Sequence, residues 1–439
     1  MFYTLGIHLS LLFAKIVALF HPKTKKWIIG QQYSTYQRLA PRGQAQIDSP
    51  KQTTFWFHAA SLGEFEQGRP VIESVRQSYP NAKIVLTFFS PSGYEMRKNY
   101  NQVDIVAYLP ADTPANVNRF LDAVQPDIAL FIKYEFWYNY LKELKKRQIK
   151  ILLFSAIFRP NQLFFKWYGG FYRNMIFCFD GILVQNQTSE KLLHGIGYYH
   201  TTLTGDTRLD RVAQIASQAN SYTEIARFKG DTPLLMIGSA WPDDMSILIP
   251  FLNSFQQPLK VIIAPHEINI VQIEKWQAQL KKHSLRFMEY WPQEDMDSSF
   301  RRNDKSRKRS GRNDKDITIL FLDTIGMLSS LYRYADFAYI GGAFGDGLHN
   351  ILEPAAFGIP IFFGKPHYQK FQEAHDLLAL GGVTSVGNME ELQTYFKEVY
   401  QNTTLRNNKA AICRNYIQEN AGATEKVMAI IKFTLAPRH

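Results

Sequence analysis

The chain has 439 residues, too many for one ordinary core, and divides most simply into two domains of roughly 200 residues each. Its 50 Lys and Arg against 39 Asp and Glu leave a net charge of +11 on an otherwise globular composition, which suits nucleic acid, anionic lipid or an anionic substrate. Two cysteines, Cys178 and Cys413, lie far apart without CxxC spacing, which argues against a disulfide framework or a structural zinc site and fits a reducing compartment.

Met1 to Phe20 is strongly apolar, interrupted by His8, Ser10 and Lys15, and the basic run His21-Pro-Lys-Thr-Lys-Lys26 follows it. A cleavable signal peptide would carry its charges before the apolar run and a small-residue cleavage site after it, so residues 1–20 read as a membrane anchor. Cations after the segment place the body of the protein in the cytoplasm. About 20 residues just suffice to cross a bilayer, so a tilted span and an interfacial helix compete, with a buried helix of the first domain as the third possibility.

From Thr53, short β-branched or aromatic runs alternate with helix-like stretches: Thr53 to His58, Lys83 to Phe89, Asp104 to Tyr108, Asp127 to Ile132, Lys150 to Phe154 and Gly181 to Val184. The pattern begins again with Pro233 to Gly238, Leu259 to Ala264, Ile317 to Leu322, Ala335 to Ile340, Gly358 to Phe363 and Gly382 to Val386. It predicts two Rossmann-like, doubly wound parallel sheets, one over residues 21–205 and one over 206–439. Ligands in such sheets sit beyond the carboxyl ends of the strands, so two facing domains would hold the reactants in the cleft between them. Arg301 to Asp316, with eight basic and three acidic residues, reads as part of a mobile insertion at about 293–316. No GxGxxG follows the first strand, and neither GxxxxGK[ST] nor a short repeat occurs.

Polar residues collect where the predicted strands end. Glu64, in His58-Ala-Ala-Ser-Leu-Gly-Glu, is placed either to take a proton from a hydroxyl or merely to favour a helix N-terminus; Glu66 is the weaker candidate. Glu135 follows the strand ending at Ile132, with Phe136 and Trp137 read as core packing. Arg208 would neutralise a departing phosphate or an acceptor carboxylate, or else form a salt bridge with Asp206 or Asp210. Ser239, His266 and the amides around Gly326 are candidates for base, ribose and phosphate contacts. Asp243 and Asp244 are adjacent on a turn and so poorly placed to converge on one metal ion, and no cluster has metal-ligand spacing.

The segment from Phe337 to Gly364 is the most informative. A buried strand leads into Gly341, Gly342, Gly345 and Gly347, which would let backbone amides approach a phosphate. Asn350 would cap a helix starting near Ile351 and aim its positive end at that anion, while Glu353 would bind ribose hydroxyls or close a capping box. The pattern points to a nucleotide-sugar donor site.

HAASLGEFEQGRP, KYEFWYN, LLFSAIFRP, LVQN, TGDTRLDRV, GSAWPDD, APHE and DTIGMLSSLYRYADFAYIGGAFGDGLHNILEPAAFGIP, in this order from about residue 53 to 366, resemble the 3-deoxy-D-manno-octulosonic acid (Kdo) transferases. The resemblance implies a GT-B architecture at the cytoplasmic face of the inner membrane of a Gram-negative bacterium. It also implies inverting, metal-independent transfer of Kdo from CMP-Kdo to a lipid A precursor in lipopolysaccharide synthesis, with no cofactor. By resemblance Glu64 is the general base, and Glu135 and Arg208 stabilise the transition state. Pro265, His266, Gly326, Met327, Leu328, Asn350, Ile351, Leu352 and Glu353 match CMP-contacting positions, with Ser239, Gly341 and Gly342 as further donor contacts. The family commonly has Arg where this chain has His266. Partners expected are CMP-Kdo, the lipid A precursor and anionic membrane lipid, with no nucleic acid. The alternatives are another GT-B sugar-nucleotide transferase or epimerase-like enzyme, and a non-catalytic module binding anionic lipid or RNA on the same scaffold.

Overall fold

A computed structural model describes residues 2–31, 52–291 and 316–436. Apart from Asp316, the expected insertion at about 293–316 lies outside the described residues. The chain forms two compact units, Met1–Arg211 with Asn420–His439, and Val212–Glu419.

The first unit is built on a seven-stranded parallel sheet: β1 (Thr54–Ala59), β2 (Lys83–Phe88), β3 (Ile105–Tyr108), β4 (Ile128–Ile132), β5 (Lys150–Ala156), β6 (Gly181–Val184) and β7 (Thr201–Leu203). Their order is β3-β2-β1-β4-β5-β6-β7. Alternation within each strand feeds two cores: Trp56, Val85, Phe131 and Leu153 face one way, and Phe55, Phe57, Leu86, Leu130 and Phe154 the other. A sheet buried on both faces explains why these strands read as continuous apolar runs.

The second unit repeats the plan with β8 (Leu234–Ala240), β9 (Lys260–Pro265), β10 (Ser284–Arg286), β11 (Ile319–Phe321), β12 (Phe337–Ile340), β13 (Ile361–Gly364) and β14 (Val383–Val386). All pairings are parallel, in the order β10-β11-β9-β8-β12-β13-β14. The strand order turns back at β1/β4 in the first sheet and at β8/β12 in the second, and such switch points are where open α/β sheets bind ligands.

The expected boundary between the domains, near Gly205 to Tyr222, agrees with the observed division, but the expectation that the second domain runs on to residue 439 is corrected. The division falls at Arg211/Val212, inside the helix Thr207–Ser217, and the helix Ala423–Leu435 belongs to the first unit. Val427, Met428 and Ile431 pack there in the core with Phe57 and Phe154. Strand alternation carries no signal for which sheet a terminal helix covers.

At the N-terminus, α1 (Phe2–Val17) is followed by α2 (Pro22–Ile29). α1 has 16 residues, about 24 Å of helix against a hydrocarbon core of about 30 Å. No helix among the described residues is long and apolar enough to cross a membrane. Tyr3 ties α1 to the first unit: its hydroxyl donates to Asp112 Oδ2 at 2.8 Å and its ring meets Tyr138 edge-on. Leu5, Leu9, Leu12, Phe13 and Ile16, spaced along one helical face, are exposed, which also sets aside a buried core helix.

Candidate functional site

At the switch point of the first sheet, β1 runs into the helix Leu62–Ser78 through Ser61. Ser61 Oγ accepts from Glu64 N at 3.4 Å and Ser61 N–H donates to Glu64 Oε2 at 3.1 Å, a reciprocal cap. Glu64 is partly buried, and its carboxyl titrates above the ordinary range: burial raises it most, then the charge of Glu135, against lowering by His58 and the N–H groups of Ser61 and Ala60. Capping and a base-like environment therefore coexist at Glu64. Gly63 lies inside the helix without a positive φ. The glycine that packing requires is Gly68, where a Cβ would overlap the Ile132 side chain of β4.

Glu135 follows β4 and is buried. Its Oε2 lies 3.0 Å from His58 Nε2 and accepts from Trp137 Nε1 at 2.6 Å. The backbone just before it is strained, with Lys133 at φ 68° in the left-handed region. Phe136 packs among Phe158, Phe164 and Phe179. Trp137 packs against the same core but also serves the carboxylate.

Arg208 is engaged by Asp206 rather than Asp210. Its Nε donates to Asp206 Oδ2 at 2.8 Å and Nη2 lies 2.6 Å from the same oxygen. Burial opposes the Asp206 charge, but Arg208 and the hydrogen bonds it makes hold the carboxyl below the ordinary range. Asp210 instead accepts from Thr424 N and Oγ1, both at 2.6 Å, at the start of the helix Ala423–Leu435.

In the second unit the glycine loop after β12 does something other than expected. Gly341 N–H donates to Gly238 O at 2.9 Å, Gly342 N–H to Asp244 Oδ2 at 2.8 Å, and Gly345 and Gly347 N–H both to Gly342 O at 3.0 Å. All four amides expected to meet a phosphate already have protein acceptors, two inside the loop and two at the end of β8 and the helix start that follows it. A Cβ on Gly341 would meet Asp244 and Ser239, and one on Gly342, at φ 96°, would meet Gly347 O and His349. These glycines let the loop press onto the end of β8. Asp244 is the fastener, accepting also from Trp241 N at 3.1 Å and from the Tyr339 hydroxyl at 3.1 Å. Ser239, at φ 53°, sits at the register shift of β8 against β9. Ser155, at φ 51°, holds the corresponding irregularity of β5 against β6.

Around that junction the predicted donor residues converge. His266, after Pro265 at the end of β9, stacks on Trp241 with centroids 4.1 Å apart and planes at 17°. His349 lies 4.6 Å from the His266 ring and accepts at Nε2 from Trp241 Nε1 at 2.9 Å. Burial first, then the neighbouring His266, lowers the His349 pKa, while Asp346 raises it. Asn350 Oδ1 accepts from Leu352 N at 3.1 Å, but the N-cap position of the five-residue helix Leu352–Ala356 is Ile351, one residue later than expected. Glu353 does not close a backbone capping box; Oε1 accepts from Asn350 Nδ2 at 3.1 Å and Oε2 from Ser329 Oγ at 2.7 Å. That bond brings the Gly326-Met327-Leu328 turn to Asn350-Ile351-Leu352-Glu353. Met327, Ile351 and Leu352 are buried, whereas Gly326, at φ 96°, is exposed with open space around its Cα.

His58, Trp137, Trp241 and His349 are the residues sequence reasoning passed over. Each stands in a quoted motif; Trp137 reads in sequence as core packing alone, while His58, Trp241 and His349 carry no spacing signal that separates them from their neighbours. Among the described residues, no group of three or more His, Cys, Asp or Glu is arranged to hold a metal ion.

A family model described as 3-deoxy-D-manno-octulosonic-acid transferase (kdotransferase) matches residues 32–211, the stretch that contains Glu64, Glu135 and Arg208. The chain is 27% identical to a 3-deoxy-D-manno-octulosonic acid transferase of Chlamydophila psittaci, over 74% of this chain and 72% of that one. It is 25% identical to one of Haemophilus influenzae, over 90% and 91%. A UDP-GlcNAc 2-epimerase structure from Neisseria meningitidis shares the fold, with a TM-score of 0.59 at 13% identity, covering 87% of this chain and 100% of that one. With these relatives matching along most of its length, and with the motif residues at the two switch points, the chain is similar to the 3-deoxy-D-manno-octulosonic acid transferases.

Proposed function

We propose that this protein is a glycosyltransferase that moves Kdo from CMP-Kdo to a hydroxyl of a lipid A precursor, with inversion at the anomeric carbon. The observation that carries the reading is Glu64: a half-buried carboxylate with raised proton affinity at the carboxyl end of β1, held in place by Ser61. As the acceptor oxygen forms its bond to the anomeric carbon, Glu64 takes the hydroxyl proton. The bond from that carbon to the phosphate oxygen breaks, and CMP leaves with the electron pair. One displacement without a covalent enzyme intermediate inverts the centre. CMP is a good leaving group, so the proposed chemistry calls for placement and charge stabilisation rather than a metal.

Donor binding is assigned to the second unit. The Trp241, His266 and His349 rings offer stacking and imidazole nitrogens, and Glu353 offers a carboxylate for ribose hydroxyls. Because the glycine amides are already satisfied, phosphate contact falls to His266 and the open turn at Gly326. Glu135 and Arg208 are assigned to stabilising charge in the transition state.

The protein is proposed to work at the cytoplasmic face of the inner membrane, with α1 lying in the interface rather than crossing it. The exposed face Leu5, Leu9, Leu12, Phe13 and Ile16 and the exposed Trp167 and Tyr168 supply apolar and aromatic contact, and Lys25 and Lys26 supply attraction to anionic lipid. The direct test is incubation of the purified protein with CMP-Kdo and a tetraacylated lipid A precursor, read by mass spectrometry of the lipid. A Kdo mass increment together with CMP release is expected; no lipid product under conditions where CMP binds would overturn the assignment.

A further inference from the structure

His58 is fully buried near the end of β1, yet nothing in an apolar core requires an imidazole there. Its Nδ1 lies 2.9 Å from Thr87 Oγ1 and 3.1 Å from Thr87 O on β2, and its Nε2 lies 3.0 Å from Glu135 Oε2. Glu135 is itself buried, and its charge and that of His58 both act on Glu64. A carboxylate removed from water is costly unless its lone pairs are met. For Oε2 they are met by His58 from β1 and by the Trp137 indole from the residues after β4. The three strand ends at the switch point are thus joined through one imidazole.

We propose that His58 is a positioning residue for the transfer step, fixing the Glu135 carboxylate within electrostatic reach of the base through Nε2 and making no contact with the reactants. Thr87 sets the ring orientation and the ring sets the carboxylate. With the ring gone, Trp137 alone holds Oε2, and the carboxylate is released to other rotamers. The proposal rests on the reading of Glu64 as base, and it adds a residue that acts one step behind it.

The test compares two polar substitutions of similar size. His58→Gln presents an amide N–H near the place of Nε2; His58→Asn keeps a polar end toward Thr87 but falls short of Glu135. His58→Asn is expected to lower kcat roughly 10–100-fold, the scale of a small misplacement of catalytic groups, with CMP affinity unchanged. His58→Gln is expected to recover most of that loss. In a Glu135→Gln background His58→Asn should cost little more, because it acts through Glu135.

A second readout does not depend on activity. The Trp137 indole N–H resonance, strongly downfield while its proton is bound to Glu135, should move upfield in His58→Asn and return in His58→Gln. An unmoved indole resonance, additive losses with Glu135→Gln, or a His58→Gln as slow as His58→Asn would overturn the proposal. If the resonance moves as expected while Glu64→Gln remains fully active, only the reading of Glu64 as base falls.

Discussion

Arg208 is bound to Asp206 by both its side chain and its backbone, with Nε and Nη2 at 2.8 and 2.6 Å from Oδ2 and its N–H donating to Oδ1 at 2.9 Å. Gln67 Nε2 reaches the same carboxylate at 3.4 Å from the helix Leu62–Ser78. The pairing orients the guanidinium and joins the helix that carries Glu64 to the segment that carries Arg208.

Asp206→Asn is therefore predicted to cost about 1–3 kcal/mol of stability near neutral pH, as for a buried acceptor left poorly matched. Because the folded carboxyl titrates below its ordinary value, its contribution is present above the unfolded pKa and lost as pH falls through the folded one. Urea denaturation should show the gap between Asp206→Asn and wild type closing in acid. A gap of the same size at all pH values would mean that the charge plays no part.

Glu64→Gln separates the two roles that coexist at that position. Gln keeps the cap, since an amide oxygen still accepts from Ser61 N–H, but it cannot take a proton. Transfer should fall by roughly 10²–10⁴-fold with the melting temperature and CMP affinity nearly unchanged. The acid limb of the wild-type rate profile should lie above the ordinary Glu range, since burial and Glu135 raise the carboxyl. Glu135→Gln removes one raising charge, leaving Glu64 with His58, which lowers it, and Tyr134 as charged or titratable neighbours, so the limb should move to lower pH. A limb that moves upward would contradict the sign of the coupling.

Two left-handed glycines should respond differently to the same change. Gly342→Ala meets Gly347 O and His349 as well as a disfavoured φ, so thermal unfolding should show several kcal/mol of loss, or no folded protein. Gly326→Ala meets only the backbone penalty, about 1 kcal/mol, because the space around it is open. Equal losses would show that loop packing is not what Gly342 serves.

The strands were legible because parallel strands buried on both faces are written as apolar runs, and the twelve expected runs match twelve strands within a few residues. β7 and β10 escaped notice: each has three residues at a sheet edge, too short for a period to register. The placement of the candidate residues was legible through topology, since Glu64, Glu135, His266 and Asn350 all follow strand ends. Hydrogen-bond partners were not. A glycine-rich turn looks alike in sequence whether its amides face a ligand or a neighbouring carboxylate, and nothing near Gly342 in the chain announces that Asp244 will take its N–H.

Glu353 offers a further case. Since Asn350 Oδ1 accepts from Leu352 N independently of Glu353, Glu353→Ala should leave that bond in place while releasing Ser329 and the Asn350 amide N–H. Calorimetry is expected to show CMP affinity lowered about tenfold, near 1.4 kcal/mol, with a smaller change in melting temperature. Unchanged affinity with a lowered melting temperature would make Glu353 a brace between two loops and remove it from the donor site.

Phe13 and Ile16 are 68% and 53% exposed, so replacing both with Glu removes apolar contact with lipid without opening the core. Tyr3, which binds Asp112, is left alone, so α1 should stay docked. The double variant should leave the membrane fraction with an unchanged melting temperature and keep its activity on acceptor dispersed in detergent. On acceptor embedded in anionic vesicles its rate should fall, because an anchored enzyme and its acceptor share one surface and meet at a raised effective concentration. Retained membrane binding would show that other surfaces suffice. An unfolded double variant would show instead that this face is packed within the first unit, and the interfacial reading of α1 would be abandoned.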